Sequence, residues 1–269
     1  MPELEDESVH LVVTSPPYWC IKDYGHAEQI GREQTYEDYV SALGKVFREC
    51  HRVLHKGCRM AVNIGDQYLR ASEHGRYRVQ PIPADLSVLG REVGFDFMGN
   101  IIWRKVSTTN TTGGGEWMGS TYYPRDGHVT YEHEYILLLR KRGNWPGPAS
   151  EEAKEKSRLT KEQRSRWFRG VWDDLPPERQ VEHVAMFPVE LPRRLIKMYA
   201  FWGETVLDPF LGSGTTTLAA HLEGRNSVGY EINAEFEEMI REKLGVGGES
   251  LVDADEMELE FVRRGEESG

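Results

Sequence analysis

In this chain Glu204-Thr205-Val206-Leu207-Asp208 runs directly into Pro209-Phe210-Leu211-Gly212-Ser213-Gly214, and this junction says most about the architecture. Residues 204–208 have the composition of a buried strand, and residues 215–222 after the glycines have the composition of a helix. Glycines between a strand and a helix are typical of a loop whose backbone approaches a ligand closely. Because a lone Gly-x-Gly is more often only a tight turn, the interpretation needs a second feature.

An acidic residue at the tip of the next predicted strand supplies that feature. Ser227-Val228-Gly229-Tyr230 ends at Glu231, 23 residues after Asp208, where a carboxylate accepts hydrogen bonds from both ribose hydroxyls of a nucleoside. The loop has no Gly-Lys-Ser/Thr for a triphosphate and no third glycine in the dinucleotide spacing. The Asp208 carboxylate instead suits an ammonium group, contacted directly or through water. Together these features predict S-adenosylmethionine as the cofactor.

A second strand and turn stand near the start of the chain. Val9-His10-Leu11-Val12-Val13 has the pattern of a buried strand and runs into Thr14-Ser15-Pro16-Pro17-Tyr18-Trp19, where the two prolines stop it. Loops at the carboxyl ends of parallel strands line one ligand crevice, so the early and late loops are expected to face a common site. Taken alone, the proline pair would be an ordinary turn and Tyr18 ordinary packing. Trp19 is equally compatible with a pocket wall and with the core.

Helix and strand patterns alternate between the two loops. This alternation predicts a doubly wound α/β sheet. Residues 105–124, with three consecutive glycines, are predicted to form a loop, and residues 140–179 are charged and do not extend the sheet. The predicted elements are helices at 36–54, which Gly57 ends, and 82–93, and strands at 59–64, 98–103 and 135–139.

Both loops resemble motifs of a single enzyme family. Asp208-Pro209-Phe210-Leu211-Gly212-Ser213-Gly214-Thr215-Thr216 resembles the cofactor loop of DNA amino-methyltransferases, and Thr14-Ser15-Pro16-Pro17-Tyr18 resembles their catalytic loop. Residues 183–191 resemble the helix-entry motif that closes over the methionine end of the cofactor. The order, with the catalytic loop first, resembles the permuted β group of that family. The resemblance covers residues 9–104 and 170–232.

The resemblance implies a circularly permuted, Rossmann-like S-adenosylmethionine methyltransferase fold, with a mostly parallel sheet flanked by helices. It implies a catalytic half at 1–104, an inserted target-recognition lobe at 105–179 with one returning strand near 135–139, a cofactor-binding half at 180–245 and an acidic tail at 246–269. The partner it implies is double-stranded DNA with a flipped target base. The cofactor-binding residues it implies are Asp208, Pro209, Phe210, Gly212, Gly214, Thr215, Glu231 and Phe187.

The chemistry of the early loop supports the same function. An exocyclic amine is a poor nucleophile because its lone pair is delocalised into the ring, so acceptors must hold it in a more tetrahedral state. The Ser15 hydroxyl and the carbonyl of Pro16 supply such acceptors, and Pro16 and Pro17 have fixed φ and no competing N–H. Tyr18 offers a ring on which a flipped base stacks. The predicted reaction is a direct displacement, because methylation of a ring carbon would need a cysteine nucleophile and Cys20 follows Trp19 rather than a proline.

Ser15 stands where adenine-N6 enzymes have aspartate, so the resemblance favours methylation of cytosine N4. Methylation of adenine N6 remains an alternative, since the same acceptors serve both amines. An RNA or protein amine methyltransferase would share both loops. A nicotinamide oxidoreductase would leave the early loop unexplained, and a non-catalytic DNA-binding module would rest on the basic segment alone.

The net charge of −11 requires that any DNA-binding surface be local. Residues 151–170 carry seven cations against four acids, and within them Arg164, Arg166 and Arg169 are the predicted DNA contacts. A solvated helix laced with salt bridges is the alternative for this segment.

The remaining composition predicts a soluble, cytoplasmic protein and leaves a homodimer open. No apolar run reaches the ~20 residues that span a bilayer, and the first residues are acidic where a signal peptide is basic. The three cysteines form no Cys-x-x-Cys pair, so neither a disulfide framework nor a structural zinc site is expected. Metal binding is not predicted either, because His128, Glu132, His133 and Glu134 match no zinc spacing.

Overall fold

The computed structural model describes residues 1–20, 25–105, 129, 131–177, 187–245 and 258–262. The described strands are β1 (Val9–Thr14), β2 (Leu54–Ile64), β3 (Gln67–Leu69), β4 (Arg78–Gln80), β5 (Phe95–Arg104), β6 (His133–Lys141), β7 (Val171–Trp172), β8 (Thr205–Asp208) and β9 (Asn226–Gly229). The described helices are α1 (Tyr36–Val53), α2 (Ala71–His74), α3 (Ile82–Val93), α4 (Glu151–Lys156), α5 (Lys161–Trp167), α6 (Glu190–Tyr199), α7 (Thr215–Leu222) and α8 (Phe236–Lys243).

Seven of these strands form one sheet in the order β7-β5-β6-β2-β1-β8-β9, and β3 and β4 pair separately. β1 is parallel to both β2 and β8, β8 is parallel to β9, and β5 is parallel to β7. β6 runs antiparallel to β2 and to β5. The predicted mostly parallel α/β sheet is therefore confirmed. Since β1 and β8 are parallel neighbours, the loops that follow them leave the same edge of the sheet.

Helices cover both faces of this sheet. Val9 and Val12 of β1 pack with α1 and α3, whereas Leu11 and Val13 pack with α6 and α7. A central strand with both faces covered needs a continuous apolar run, and this explains the composition of residues 9–13. The site that follows β1 consequently rests on a strand with two buried faces.

Local signals account for several element boundaries. α3 has the predicted bounds: a proline stands in its first turn and Gly94 ends it with φ +116°, in the left-handed region. α1 begins after Thr35, whose side chain accepts a hydrogen bond from the Asp38 N–H. The sequence prediction that Gly57 ends α1 is wrong, because the chain turns at Leu54 straight into β2. Gly57 lies within β2, where a Cβ would come within 2.4 Å of the Trp145 nitrogen.

The prediction that residues 140–179 do not extend the sheet is also wrong. β7 pairs with β5 through Ile102 with Val171 and Trp103 with Trp172, and both tryptophans are fully buried. A two-residue strand carries too little periodicity to be recognised locally.

Some sequence-based predictions fall outside the described residues. These are the loop at 105–124 apart from Lys105, the first four residues of segment 183–191, His128 and most of the tail at 246–269. Within the described part of the chain, no helix has the length and apolarity that crossing a membrane requires.

Candidate active site

The two predicted loops start from one point in the structure. Thr14 ends β1 and Asp208 ends β8, and the Thr14 hydroxyl donates a 2.7 Å hydrogen bond to Oδ1 of Asp208. Both side chains are buried, so this bond joins residues 194 positions apart inside the protein. The early loop and the glycine loop thus share one edge of the sheet and a direct polar link.

Asp208 is the centre of a buried network within the glycine loop. Its Oδ2 accepts a 2.6 Å hydrogen bond from the Thr216 hydroxyl, and its Oδ1 also accepts one from the Phe210 N–H at 3.0 Å. Burial raises the pKa of Asp208 to about 6, against these hydrogen bonds, which lower it; the nearby Glu231 charge raises it further. Asp208 therefore holds the loop together, and its predicted contact with an ammonium group stays a prediction.

The glycines set the path of this loop. Gly212 and Gly214 have φ of +53° and +81°, a region that other residues rarely adopt, and Gly214 leads directly into α7. A Cβ at Gly214 would also meet the Ile240 side chain at 3.2 Å, whereas one at Gly212 would point into open space. Of the other predicted cofactor residues, Pro209 and Thr215 are buried. Phe210 is half-buried and packs against the core on the face of the sheet that α1 and α3 cover.

Glu231 lies just after β9 and contacts the glycine loop. Its Oε2 accepts a 2.8 Å hydrogen bond from the Gly212 N–H, and its Oε1 accepts one of 2.9 Å from the Asn233 N–H. A carboxylate has about four lone-pair sites, so two acceptor positions remain for a pair of hydroxyls. This donor and acceptor set fits the ribose of an adenosine-bearing cofactor.

Lys243 contacts the glycine loop, a role that the sequence pattern does not indicate. From the end of α8 its ammonium donates to the Ser213 hydroxyl at 2.6 Å and to the Thr215 hydroxyl at 3.0 Å. It therefore braces the glycine turn from outside the motif. A lysine near the end of an amphipathic helix carries no local signal for this contact.

The early loop is held differently. Ser15, Pro17 and Tyr18 are half-buried and Pro16 is buried, and the hydroxyl of Tyr39 in α1 donates a 2.7 Å hydrogen bond to the Pro17 carbonyl. Within the described part of the chain, the Ser15 hydroxyl has no hydrogen-bond partner. Its oxygen is therefore available as an acceptor at the carboxyl end of β1.

Trp19 belongs to the core rather than to a pocket wall. It is 7% exposed, its ring lies edge-on to Tyr36 at 5.2 Å, and its Nε1 donates to the Gln34 carbonyl at 3.0 Å. Its φ of +38° is unusual for a residue with a side chain, and it places a sharp bend directly after Tyr18.

A polar cluster that the sequence analysis did not identify lies beside Tyr18. The Asn63 amide nitrogen lies 3.5 Å from the Tyr18 hydroxyl and 2.8 Å from the Glu134 carboxylate, which also accepts a 2.6 Å bond from the Lys105 ammonium. In the sequence, Glu134 stands out only as a candidate metal ligand. Among the residues described, no three His, Cys, Asp or Glu side chains group as a metal site.

The predicted DNA contacts differ in their surroundings. The Arg164 guanidinium lies 4.2 Å from the centre of the Phe168 ring, and Arg166 pairs with Asp174, which buried Arg194 also holds at 2.8 Å. Arg169 is exposed and has no ion-pair partner within the described ranges. Arg169 is accordingly the cation of the three with most freedom to meet a phosphate.

Phe187, the remaining predicted cofactor residue, lies just before α6. It is half-buried and packs against the core on the α6 face of the sheet.

Comparison with known sequences gives a consistent result. Residues 9–242 match the family model of N6/N4 methyltransferases, which is described as DNA methylase. The type II methyltransferase M.MjaI of Methanocaldococcus jannaschii is 35% identical over 98% of this chain and 94% of its own length. M.SmaI of Serratia marcescens, another type II methyltransferase, is 30% identical over 90% of this chain and 86% of its own length.

Solved structures share the fold. A DNA modification methylase of Thermus thermophilus, TTHA0409, complexed with S-adenosyl-L-methionine, is 38% identical with a TM-score of 0.75, covering 91% of this chain and 88% of that one. The cytosine-N4-specific PvuII DNA methyltransferase superimposes with a TM-score of 0.63 at 19% identity, covering 90% of this chain and 81% of that one. The PvuII likeness concerns the fold alone.

Proposed function

Since this chain belongs to the N6/N4 DNA methylase family and is an S-adenosylmethionine-dependent DNA methyltransferase, we propose that it methylates the exocyclic N4 amine of cytosine within a specific double-stranded sequence. The observation that carries the proposal is Ser15, a neutral acceptor at the end of β1 where adenine-N6 enzymes of the resembling family have aspartate. Its relatives are type II methyltransferases, and restriction-modification is the biological setting that we propose.

Ser15 and Pro16 act on the amine. The Ser15 hydroxyl oxygen and the Pro16 carbonyl accept hydrogen bonds from the two N–H groups, which draws the nitrogen out of conjugation with the ring and frees its lone pair. The fixed φ of Pro16 and Pro17 keeps this carbonyl aimed, and the absence of their N–H groups removes competing donors. Because Tyr39 holds the Pro17 carbonyl at 2.7 Å, the two acceptors are positioned before the base arrives.

The cofactor residues follow from the glycine loop. Glu231 accepts hydrogen bonds from the ribose hydroxyls, and the turn at Gly212 and Gly214 lets the backbone come close to the nucleoside. Asp208, Pro209, Phe210, Thr215 and Phe187 complete the proposed site. When bound, S-adenosylmethionine supplies the electrophilic methyl group on its sulfonium.

Tyr18 receives the flipped base. An exocyclic amine inside a duplex is out of reach of Ser15, so the target nucleotide must leave the stack at a cost of a few kcal/mol. Stacking of the base on the half-buried Tyr18 ring offsets part of that cost, by about 1–3 kcal/mol.

The proposed DNA-reading part is the lobe at 105–179, with Arg164, Arg166 and Arg169 as phosphate contacts. Since the catalytic loop follows β1 and the cofactor loop follows the late strand β8, we propose that the chain is a circularly permuted, β-group enzyme. Both proposals extend beyond the described residues, because much of the lobe between β5 and β6 lies outside them.

Methylation of adenine N6 is the second candidate, because the family covers both amines and the same two acceptors serve either. Nucleoside analysis separates them. Unmethylated bacterial DNA is incubated with the enzyme and isotopically labelled S-adenosylmethionine, digested to nucleosides and analysed by mass spectrometry. We expect label in N4-methyldeoxycytidine. Label in N6-methyldeoxyadenosine would overturn the cytosine assignment, and Ser15→Ala protein serves as the blank.

A further inference from the structure

We propose that Glu134 is a positioning residue, which sets the orientation of the Tyr18 ring through the Asn63 amide and is itself held by Lys105. This inference rests on the proposed role of Tyr18 as the stacking surface for the flipped base. The four residues come from four separate places in the chain: the loop after β1, the end of β2, the position just after β5 and the start of β6.

The hydrogen bonds give the cluster a direction. An ionised carboxylate only accepts hydrogen bonds, so the Asn63 side-chain atom that lies 2.8 Å from Glu134 must be the amide nitrogen. The same nitrogen then points its second proton toward the Tyr18 hydroxyl, at the longer distance of 3.5 Å. The Glu134 carboxylate thereby determines that the Asn63 amide turns its nitrogen, and not its oxygen, toward the Tyr18 hydroxyl. With a neutral side chain at position 134, the amide could turn over and the direction would be lost.

Lys105 fixes the position of the Glu134 carboxylate. Its ammonium lies 2.6 Å from Oε1 of Glu134, whose side chain is only 12% exposed, while Asn63 binds the other oxygen. Charge-assisted hydrogen bonds of this kind are shorter and stronger than neutral ones. Both Glu134 oxygens are thus engaged by partners on β2 and just after β5.

Gly65 supplies independent evidence that Tyr18 and Glu134 share one packing site. A Cβ at Gly65 would lie 3.4 Å from Cε1 of Tyr18 and 3.2 Å from Cγ of Glu134. The bare glycine just after β2 lets both side chains rest against the backbone. The Asn63 amide thus provides the hydrogen-bonded link between two side chains that pack at one place.

The polar cluster of Tyr18, Asn63, Lys105 and Glu134 is poorly suited to stabilising the fold, which favours a functional role. Asn63 is 4% exposed, and its Oδ1 has no hydrogen-bond partner among the described residues. A buried acceptor without a partner costs about 1–3 kcal/mol, and such groups in native structures call for an explanation. Orientation of the base-stacking ring is the explanation that its position beside Tyr18 supports.

The test is a double-mutant cycle in which turnover is measured by transfer of labelled methyl groups to DNA. Glu134→Gln should lower kcat about tenfold, the effect of one charge-assisted hydrogen bond, with KM for S-adenosylmethionine unchanged within about twofold. In a Tyr18→Phe background, which keeps the ring and removes the hydroxyl, Glu134→Gln should lower kcat by less than about twofold. Glu132→Gln is the matched control, since Glu132 pairs with Arg104 at 3.3 Å, and it should keep wild-type turnover.

The outcomes separate the inference from the proposed function. Equal losses of kcat from Glu134→Gln in both backgrounds, or a loss confined to KM for the cofactor, would overturn the positioning role. Gly65→Ala changes no polar group and should lower kcat about threefold by crowding the ring; wild-type turnover in this variant would count against the shared packing site. Tyr18→Ala tests the stacking role itself, and full activity there would remove the premise.

Discussion

The two loops of the candidate active site use their hydrogen-bonding groups in opposite ways. Around the glycine loop, the polar side chains are hydrogen-bonded to other groups of the protein. Asp208 accepts three hydrogen bonds, Glu231 accepts two and Lys243 donates two. In the early loop the Ser15 hydroxyl has no hydrogen-bond partner in the described part of the chain. The backbone of this loop is held by Tyr39, whose hydroxyl donates to the Pro17 carbonyl.

The difference follows from what each loop must do. A cofactor site gains affinity when its backbone is ordered before binding, so internal hydrogen bonds that fix the turn are favourable. A loop that must reshape an incoming amine has to keep acceptors unoccupied, and its order must come from prolines and from contacts behind it. Changes in the early loop should therefore affect catalysis, whereas changes in the glycine loop should affect stability and cofactor affinity.

Ser15→Ala should give the largest effect. Loss of a preorganised acceptor at the reacting amine should lower kcat by about 100-fold or more, with the Kd for S-adenosylmethionine unchanged within about twofold. Methyl transfer to DNA and calorimetry measure the two quantities. Ser41→Ala, at an exposed position of α1, is the control. Undiminished turnover would remove Ser15 from the mechanism.

The free-energy cost of burying the Asp208 carboxylate should appear as a pH-dependent difference in stability between the wild type and Asp208→Asn. The folded-state pKa of about 6 lies above the usual value of 3.8, so between these values the native state binds more protons than the unfolded state. The wild-type free energy of unfolding, relative to Asp208→Asn, should rise by roughly 2–3 kcal/mol as pH falls from 7 toward 4. Urea unfolding at several pH values measures this, and a constant difference would contradict an elevated pKa.

Glu231→Ala should weaken cofactor binding. Loss of its hydrogen bonds to the ribose and to the Gly212 N–H should raise the Kd for S-adenosylmethionine about tenfold. Calorimetry with Glu235→Ala as the matched control measures it, since Glu235 is exposed four residues away. If the affinity is unaltered, Glu231 does not bind the ribose, and the contrast between the loops loses its clearest element.

The smallest effect should come from the basic segment at residues 151–170. Arg169→Ala should reduce the slope of log affinity for DNA against log salt by about 0.9, the value for one phosphate contact. Arg166→Ala should change it less, because Arg166 is already paired with Asp174. Fluorescence anisotropy with duplex DNA across a salt series compares the two. Equal slopes for wild type and Arg169→Ala would place the DNA-binding surface elsewhere.

Much of the architecture was predictable from local patterns. The bounds of α3, the strands around the two loops and the alternation of helices and strands follow from hydrophobic periodicity, prolines and glycines, which act over a few residues. The cofactor, too, could be inferred from the glycine loop followed by Glu231, because adenosine recognition places those residue types at a regular spacing.

The partners within the site were decided by tertiary structure. The bond from Thr14 to Asp208 spans 194 residues, and it exists because strand order places β1 beside β8. Lys243 reaches the glycine turn from a different helix, and Glu134 meets Asn63 only because β6 inserts beside β2. A local pattern specifies which face of an element is apolar; which elements become neighbours depends on how all of those faces are buried together, and hydrogen bonds between distant residues follow from that packing.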